Sequence, residues 1–178
     1  MGYDSHEDIA FEVAKYSLMR RSSIPVEVIP LKRREFVKRG IYTRSQDPKQ
    51  STEFTYLRFL VPYLNNYTGM ITRTWFSFSV SVEPKLWNLV LATGWAAFSD
   101  DDMLFLGDIG TLIDQIDDKY AIMCVQHDYK PNVTTKLAGK AQSVYPRKNW
   151  SSVVLYNCGH PANRCLDLEM VNRVRMTI

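Results

Sequence analysis

The chain lacks most of the features that would assign a protein on sight. No apolar run approaches the ~20 residues that a membrane-spanning helix needs, and the amino end is polar from Gly2 to Asp8, unlike a secretory signal. Three cysteines, Cys124, Cys158 and Cys165, have no metal-binding spacing and leave one odd. Cys124 and Cys158 lie in apolar runs and read as buried thiols, which suits a reducing compartment. A cytoplasmic location is therefore expected. A formal net charge of +3 is too small to point to nucleic acid. The basic cluster Lys32-Arg33-Arg34 with Lys38-Arg39 reads as a solvated helix face. His6 and His160 have no metal-like partner at helical or ribbon spacing. Asn66, Asn132 and Asn149 open Asn-x-Ser/Thr triplets, which carry little without a secretory route. Internal repeats and low-complexity tracts are absent.

What remains is a chain of 178 residues with enough apolar content for one sizeable core. Ile9, Val13, Tyr16 and Ser17, with Ala10, Ala14 and Leu18, recur at helical spacing and predict a helix from Ser5 to Arg20, capped by Asp4 or Ser5. Val26–Ile29 reads as a short strand between two prolines. Leu31–Gly40 reads as a short basic helix and Ser45–Gln50 as a polar loop. A second helix, capped by Thr52 or Ser51, carries Phe54, Leu57, Leu60, Val61 and Leu64, with Pro62 disturbing its end. Trp95–Phe98, Ala121–Val125 and Val153–Asn157 read as strands, the last two buried, and Ile109–Ile116 as a short helix. Strands alternating with helices argue for an α/β sheet.

The most informative feature is Asp100-Asp101-Asp102, which ends the apolar run Trp95-Ala96-Ala97-Phe98-Ser99. Adjacent like charges repel by about 1 kcal/mol at ~4 Å even in water. On extended backbone Asp100 and Asp102 share one face and Asp101 takes the other. Two carboxylates at a strand end suit a hard divalent cation, Mn²⁺ or Mg²⁺, which can hold a diphosphate and stabilise it as a leaving group. The alternative is an acidic surface turn.

The stretch GWAAFSDDDMLFLGDI resembles the Asp-x-Asp strand end of nucleotide-sugar glycosyltransferases with the A-type fold. Further segments resemble, in order, a group of small bacterial-type glycosyltransferases related to family 8. They are GYDSHEDIAFEVAKYSLMR at Gly2–Arg20, STEFTYLRFLVPYL at Ser51–Leu64, YAIMCVQHDYKP at Tyr120–Pro131, and VYPRKNWSSVVLYNCGHPAN at Val144–Asn163. The resemblance implies an α/β fold with a Rossmann-like mixed or parallel sheet flanked by helices. It also implies metal-dependent sugar transfer from a nucleotide diphosphate sugar, a UDP-sugar foremost, to an unassigned acceptor.

On this resemblance Asp100 and Asp102 bind the metal and diphosphate, and Asp101 touches the ribose or donor sugar. Arg58 borders the core face of its helix and wants an anion: the donor phosphates, or else a structural partner such as Asp108 or Glu53. Gly2-Tyr3-Asp4 matches the turn that cradles the nucleoside. There Tyr3 stacks on the base and Asp4 accepts a hydrogen bond, unless Asp4 is simply a helix cap. Gln126, His127 and Asp128 follow a strand end, where ligands bind in α/β sheets. Asn149, Ser151 and Asn157 flank the last strand and are candidates for the sugar or acceptor. Trp150 is either a sugar platform or a core residue. Ser151 has no histidine nearby in sequence, so no hydrolase triad is read.

Two further expectations concern the chain's extent. In the family an apolar first strand runs into the Gly-Tyr-Asp turn, and here Met1 stands where that strand finishes. The family also continues past Arg173–Ile178 through a segment that closes the donor site, so the chain reads as truncated at both ends. Met70–Gly94 interrupts the family pattern, since joining Gly69 to Trp95 restores NNYTG-WAAFSDDD. It is either a translated intron, with GGT-ATG and ACA-GG able to encode its borders, or a true insertion. An alternative reading of the whole chain is a non-catalytic fragment or pseudoenzyme of the same fold. An Asp-x-Asp phosphatase is disfavoured, because the acids fall mid-chain and Leu104 stands where such enzymes carry threonine or valine.

Overall fold

The computed structural model describes residues 1–45, 50–68, 94–128, 147 and 149–173. The Ser45–Gln50 loop and the Met70–Gly94 segment fall largely outside them. Within the described residues the chain is a mixed α/β structure with one small parallel and one small antiparallel sheet. The parallel pair joins β1 (Gly2–Tyr3) to β2 (Leu31–Lys32). The antiparallel sheet has the order β3 (Trp95–Ser99), β5 (Val153–Asn157), β4 (Ile122–Cys124). Ser99 pairs with Val153 and Cys124 with Val154, so β3 and β4 finish at the edge where β5 begins.

The face of this sheet carrying Phe98, Val154 and Tyr156 forms the core with Phe54, Leu57, Leu60 and Val171. Each large side chain so buried contributes about 1.5–3 kcal/mol. Phe54 also explains Gly2. A Cβ there would lie 2.7 Å from the Phe54 ring, so close approach requires glycine, independently of any turn.

The first helix, α1, spans Asp8–Arg21 and starts later than its spacing predicts. Asp4 and Ser5 do not cap it. Glu7 occupies that position without a side-chain bond, because the Asp4 carboxylate is taken by His6 and Glu53. Phe11, Ala14, Ser17 and Leu18 face inward, while Ile9, Val13 and Tyr16 are exposed. The basic helix is the shorter α2, Arg33–Lys38.

Three other expectations are corrected. Val26–Ile29 belongs to no strand, and it is Leu31–Lys32 that pairs. The helix expected over Thr52–Leu64 is a turn, a 3₁₀ segment at Leu57–Leu60, and a fresh helical turn, α3, at Val61–Leu64. Pro62 is the cause: its ring would clash with the carbonyl four residues back, so the proline sits at a helix start instead. The strand expected to be buried at Ala121–Val125 is β4 at the sheet edge, with Ile122 exposed and Cys124 half-buried. The short helix α4 (Gly110–Ile113) and the terminal α5 (Leu168–Arg173) complete the regular structure.

Gly94 has φ +71° and a Cβ there would lie 3.8 Å from the Thr68 carbonyl oxygen. The two described residues that border 69–93 therefore sit side by side.

Candidate functional site

The antiparallel register gathers the expected site residues at one end of the sheet. Asp100–Asp102 leave β3 there, Gln126–Asp128 leave β4 there, and Asn149–Ser152 enter β5 there. Asp100 N–H donates to the Ser152 carbonyl (2.8 Å), extending the ladder one step beyond β3. The Gly2-Tyr3-Asp4 turn joins this group from the other sheet, because Asp4 N–H donates to Asp101 Oδ2 at 2.7 Å.

The three acids differ sharply. Asp101 is 1% exposed, and its Oδ1 is buried without a hydrogen-bond partner. Burial pushes its pKa up to about 6. The Asp4 N–H and its own backbone N–H oppose the rise, and Glu7 and Asp102 add to it. Asp100 is also driven up to about 6 by burial, against the pull of Arg58. Asp102 is exposed. Glu7 is raised as well, by burial and then by the charges of Asp102 and Asp4. Asp4 behaves oppositely: burial raises it, but hydrogen bonds from His6 and Glu53 outweigh that and hold it below the ordinary carboxylate range.

Arg58 brings a buried cation to this acidic end. Its guanidinium lies 3.1 Å from Asp100 Oδ1, and Nη1 donates to the Ser151 carbonyl (2.8 Å) and Oγ (3.0 Å). It also lies over the Phe54 and Phe98 rings, 5.3 and 5.0 Å from their centroids. The structural partner expected for Arg58 was Asp108 or Glu53, and the observed one is Asp100. Asp108 instead accepts from the Ser23 and Gly110 N–H groups.

The remaining expected residues are placed as follows. Tyr3 donates its hydroxyl to Asp8 Oδ1 (2.8 Å), and Lys32 Nζ lies 4.4 Å from its ring centroid, so one ring face already has a cation on it. Gln126, His127 and Asp128 are exposed. Asn149 is exposed with φ +65°, a conformation asparagine tolerates better than most residues. Trp150 is half-buried and donates Nε1–H to the His127 carbonyl (3.1 Å), tying the segment after β4 to the one before β5. Asn157 does not join this group. It pairs with Trp95 at the opposite end of the sheet, four residues or ~13 Å from Val153, and its Nδ2 donates to the Asp118 carbonyl.

Sequence reasoning passed over Glu7, set His6 aside for want of a metal-like partner, and offered Glu53 only as a structural partner for Arg58. Asp4, His6 and Glu53 offer ligand atoms within 4.8 Å of one another. The set already forms a hydrogen-bonded turn, since the Asp4 carboxylate accepts from His6 N–H (3.0 Å) and Glu53 N–H (3.1 Å) and lies 2.9 Å from His6 Nδ1. Glu53 comes from a segment 49 residues away, which no local spacing could reveal. Oxygen donors of this kind suit a hard divalent cation. Half-buried Asp100 and buried Asp101, whose Oδ1 has no hydrogen-bond partner, fit that chemistry, because a cation would supply what the protein leaves unsatisfied.

Among the described residues, no helix is long and apolar enough to cross a membrane. No protein-family model matches the chain, and no solved structure matches it. It is similar to a curated Arabidopsis thaliana protein, Protein CDI, with 49% identity over 172 residues. That match covers 97% of this chain but 57% of the relative, so the chain spans little more than half the relative's length.

Proposed function

We propose that this chain forms the donor site of a metal-dependent glycosyltransferase of the A-type fold, with a Rossmann-like sheet, taking a sugar from a nucleotide diphosphate sugar such as a UDP-sugar. The observation that carries the reading is the 2.7 Å bond from Asp4 N–H to Asp101. It brings the turn expected to cradle the nucleoside against the acids expected to hold the metal, from segments 97 residues apart in the chain. Asp100 and Asp102 would hold Mn²⁺ or Mg²⁺, which when bound offsets charge on a departing nucleoside diphosphate. Asp101 fixes the turn, and Arg58 positions Asp100 and Ser151. The chain's own contribution is positioning and charge stabilisation.

A second reading, a non-catalytic domain of the same fold, is favoured by one observation. Arg58 already neutralises Asp100, as a cation would. Calorimetric titration of UDP with and without Mn²⁺ separates the two. The glycosyltransferase reading expects manganese-dependent binding that is lost in Asp102→Ala. Because Asp102 is exposed, the variant should fold with stability changed by no more than about 0.5 kcal/mol. Folded protein with no UDP binding, or binding unchanged in the variant, removes the acids from any donor site.

A further inference from the structure

The basic cluster around α2 has no place in the donor site, and it is not the evenly solvated face that its sequence suggests. Arg34, Lys38 and Arg39 are exposed. Arg33 is half-buried, and its Nε–H is buried without a hydrogen-bond partner.

The local fold brings Arg33 against Tyr42. Gly40, at φ +70°, ends α2 in the left-handed conformation that favours glycine. Gly40 N–H and Ile41 N–H donate back to the Val37 and Phe36 carbonyls (both 3.0 Å), which turns the chain around. One side chain of α5 then pins the returning residues. Asn172 Nδ2 donates to the Ile41 carbonyl (3.0 Å), and Asn172 Oδ1 accepts from Thr43 N–H (2.8 Å). Tyr42, between these two anchors, is 1% exposed. The Arg33 guanidinium lies 5.6 Å from its ring centroid. Arg44 is held nearby: Nη1 donates to the Val171 carbonyl (2.9 Å), and the guanidinium lies 3.8 Å from the Tyr56 ring centroid.

The Tyr42 hydroxyl is buried without a hydrogen-bond partner. Burial drives its pKa up, and the charges of Arg33 and Arg44 oppose the rise, so both guanidinium groups lie close enough to act on it. A lone pair of the Tyr42 oxygen could accept from Arg33, but the O–H proton would still need an acceptor, and arginine supplies none. Two buried donors, Tyr42 O–H and Arg33 Nε–H, thus meet beside a second cation with nothing to receive them. Buried donors left unmet are destabilising. What this corner calls for is an acceptor carrying negative charge.

We propose that Arg33, Tyr42 and Arg44 form a binding site for a phosphate-type oxyanion. Guanidinium groups bind such oxygens through charge-assisted bonds. Phosphate offers acceptor oxygens in three directions, whereas a carboxylate offers two in one plane. Arg33 reaches solvent, so an anion can enter along its side chain, and exposed Arg34, Lys38 and Arg39 raise the local anion concentration. The cations here are not the one at the acidic end, Arg58, and the proposal does not depend on sugar transfer.

The test titrates inorganic phosphate calorimetrically into the full chain at constant ionic strength. EDTA is present, so that no metal at the acids can hold the anion. Acetate is titrated in parallel and should bind at least ~10-fold more weakly than phosphate. Tyr42→Phe should weaken phosphate binding at least ~10-fold. Arg33→Lys, which keeps the charge but loses Nε–H, should weaken it at least ~5-fold. Asp102→Ala should bind phosphate as the unsubstituted chain does. Tyr42→Phe removes a hydroxyl that satisfies nothing in the protein, so without phosphate it should melt no lower than the unsubstituted chain. Phosphate also stabilises proteins by exclusion from their surface, so the thermal readout is a difference. Phosphate should raise the unsubstituted chain's melting midpoint by at least ~3 °C more than that of Tyr42→Phe. The proposal is overturned if folded protein binds no phosphate, if Tyr42→Phe binds it equally well, if acetate binds as tightly, or if Asp102→Ala loses the binding. A Tyr42→Phe variant that melts well below the unsubstituted chain without phosphate also overturns it, because the hydroxyl would then have its partner within the protein.

Discussion

The two ends of the three-stranded sheet handle their polar groups in opposite ways. At the Trp95–Asn157 end they are neutral or exposed, and matched. Trp95 Nε1–H donates to Asp118 (2.8 Å), and Asn163, 2% exposed, donates to the Ala121 and Asn157 carbonyls (2.8 and 2.7 Å). At the Ser99–Val153 end half-buried Asp100 and buried Asp101 both have raised pKa values, Arg58 pairs with Asp100 alone, and an Asp101 oxygen has no hydrogen-bond partner. One end is arranged to be stable by itself, and the other holds charge that the protein only partly compensates. Uncompensated charge of this kind is commoner at functional sites than elsewhere.

The comparison breaks first at Arg58. Arg58→Met should lower the stability measured by urea unfolding by roughly 3–5 kcal/mol, because it removes a buried guanidinium and strands half-buried Asp100 and the Ser151 contacts. Adding Asp100→Asn should recover part of that loss. If Arg58→Met costs under ~1 kcal/mol, the acidic end is looser than its contacts imply. At the matched end, Asn163→Ala should cost about 1–3 kcal/mol through the loss of two buried hydrogen bonds and leave UDP and Mn²⁺ titrations unchanged. A change in those titrations would couple the two ends.

The smallest effect is in pH. Asp100 and Asp101 bind their protons more tightly folded than unfolded, so their stabilising contribution is complete below the ordinary carboxylate pKa. It is lost as pH rises through about 6. Urea unfolding at pH 5 and pH 7 should therefore show a smaller stability at pH 7. Asp101→Asn should shrink that difference by on the order of 1 kcal/mol. A difference of the opposite sign, or one untouched by the substitution, would place the raised pKa elsewhere.

How much of this was legible in the sequence depended on whether a residue's role was local. Val153–Asn157 is found with the limits its apolar run predicts, and Trp95–Ser99 is one residue longer than expected. The helix at Asp8–Arg21 follows from its periodicity, although its cap does not, because Asp4 is drawn away by groups from two distant segments. The apolar run at Ala121–Val125 says strand but cannot say edge, since neighbours decide that. Asn157 is misplaced for a related reason: it lies one strand length from Val153, and only the register shows that this length spans the sheet from end to end. The acids at Asp100–Asp102 were readable as a cluster, but their division into paired, buried and exposed members needed Arg58 and Asp4 in place.

The closeness of Thr68 to Gly94 has a meaning for how this chain can be built upon. Two backbone points that nearly touch, at the end of the sheet away from the acids, form a graft site. Folded units commonly have their own termini close together, and one spliced in there would hang from the sheet by two adjacent threads, displacing neither Trp95 nor the carboxylates beyond it.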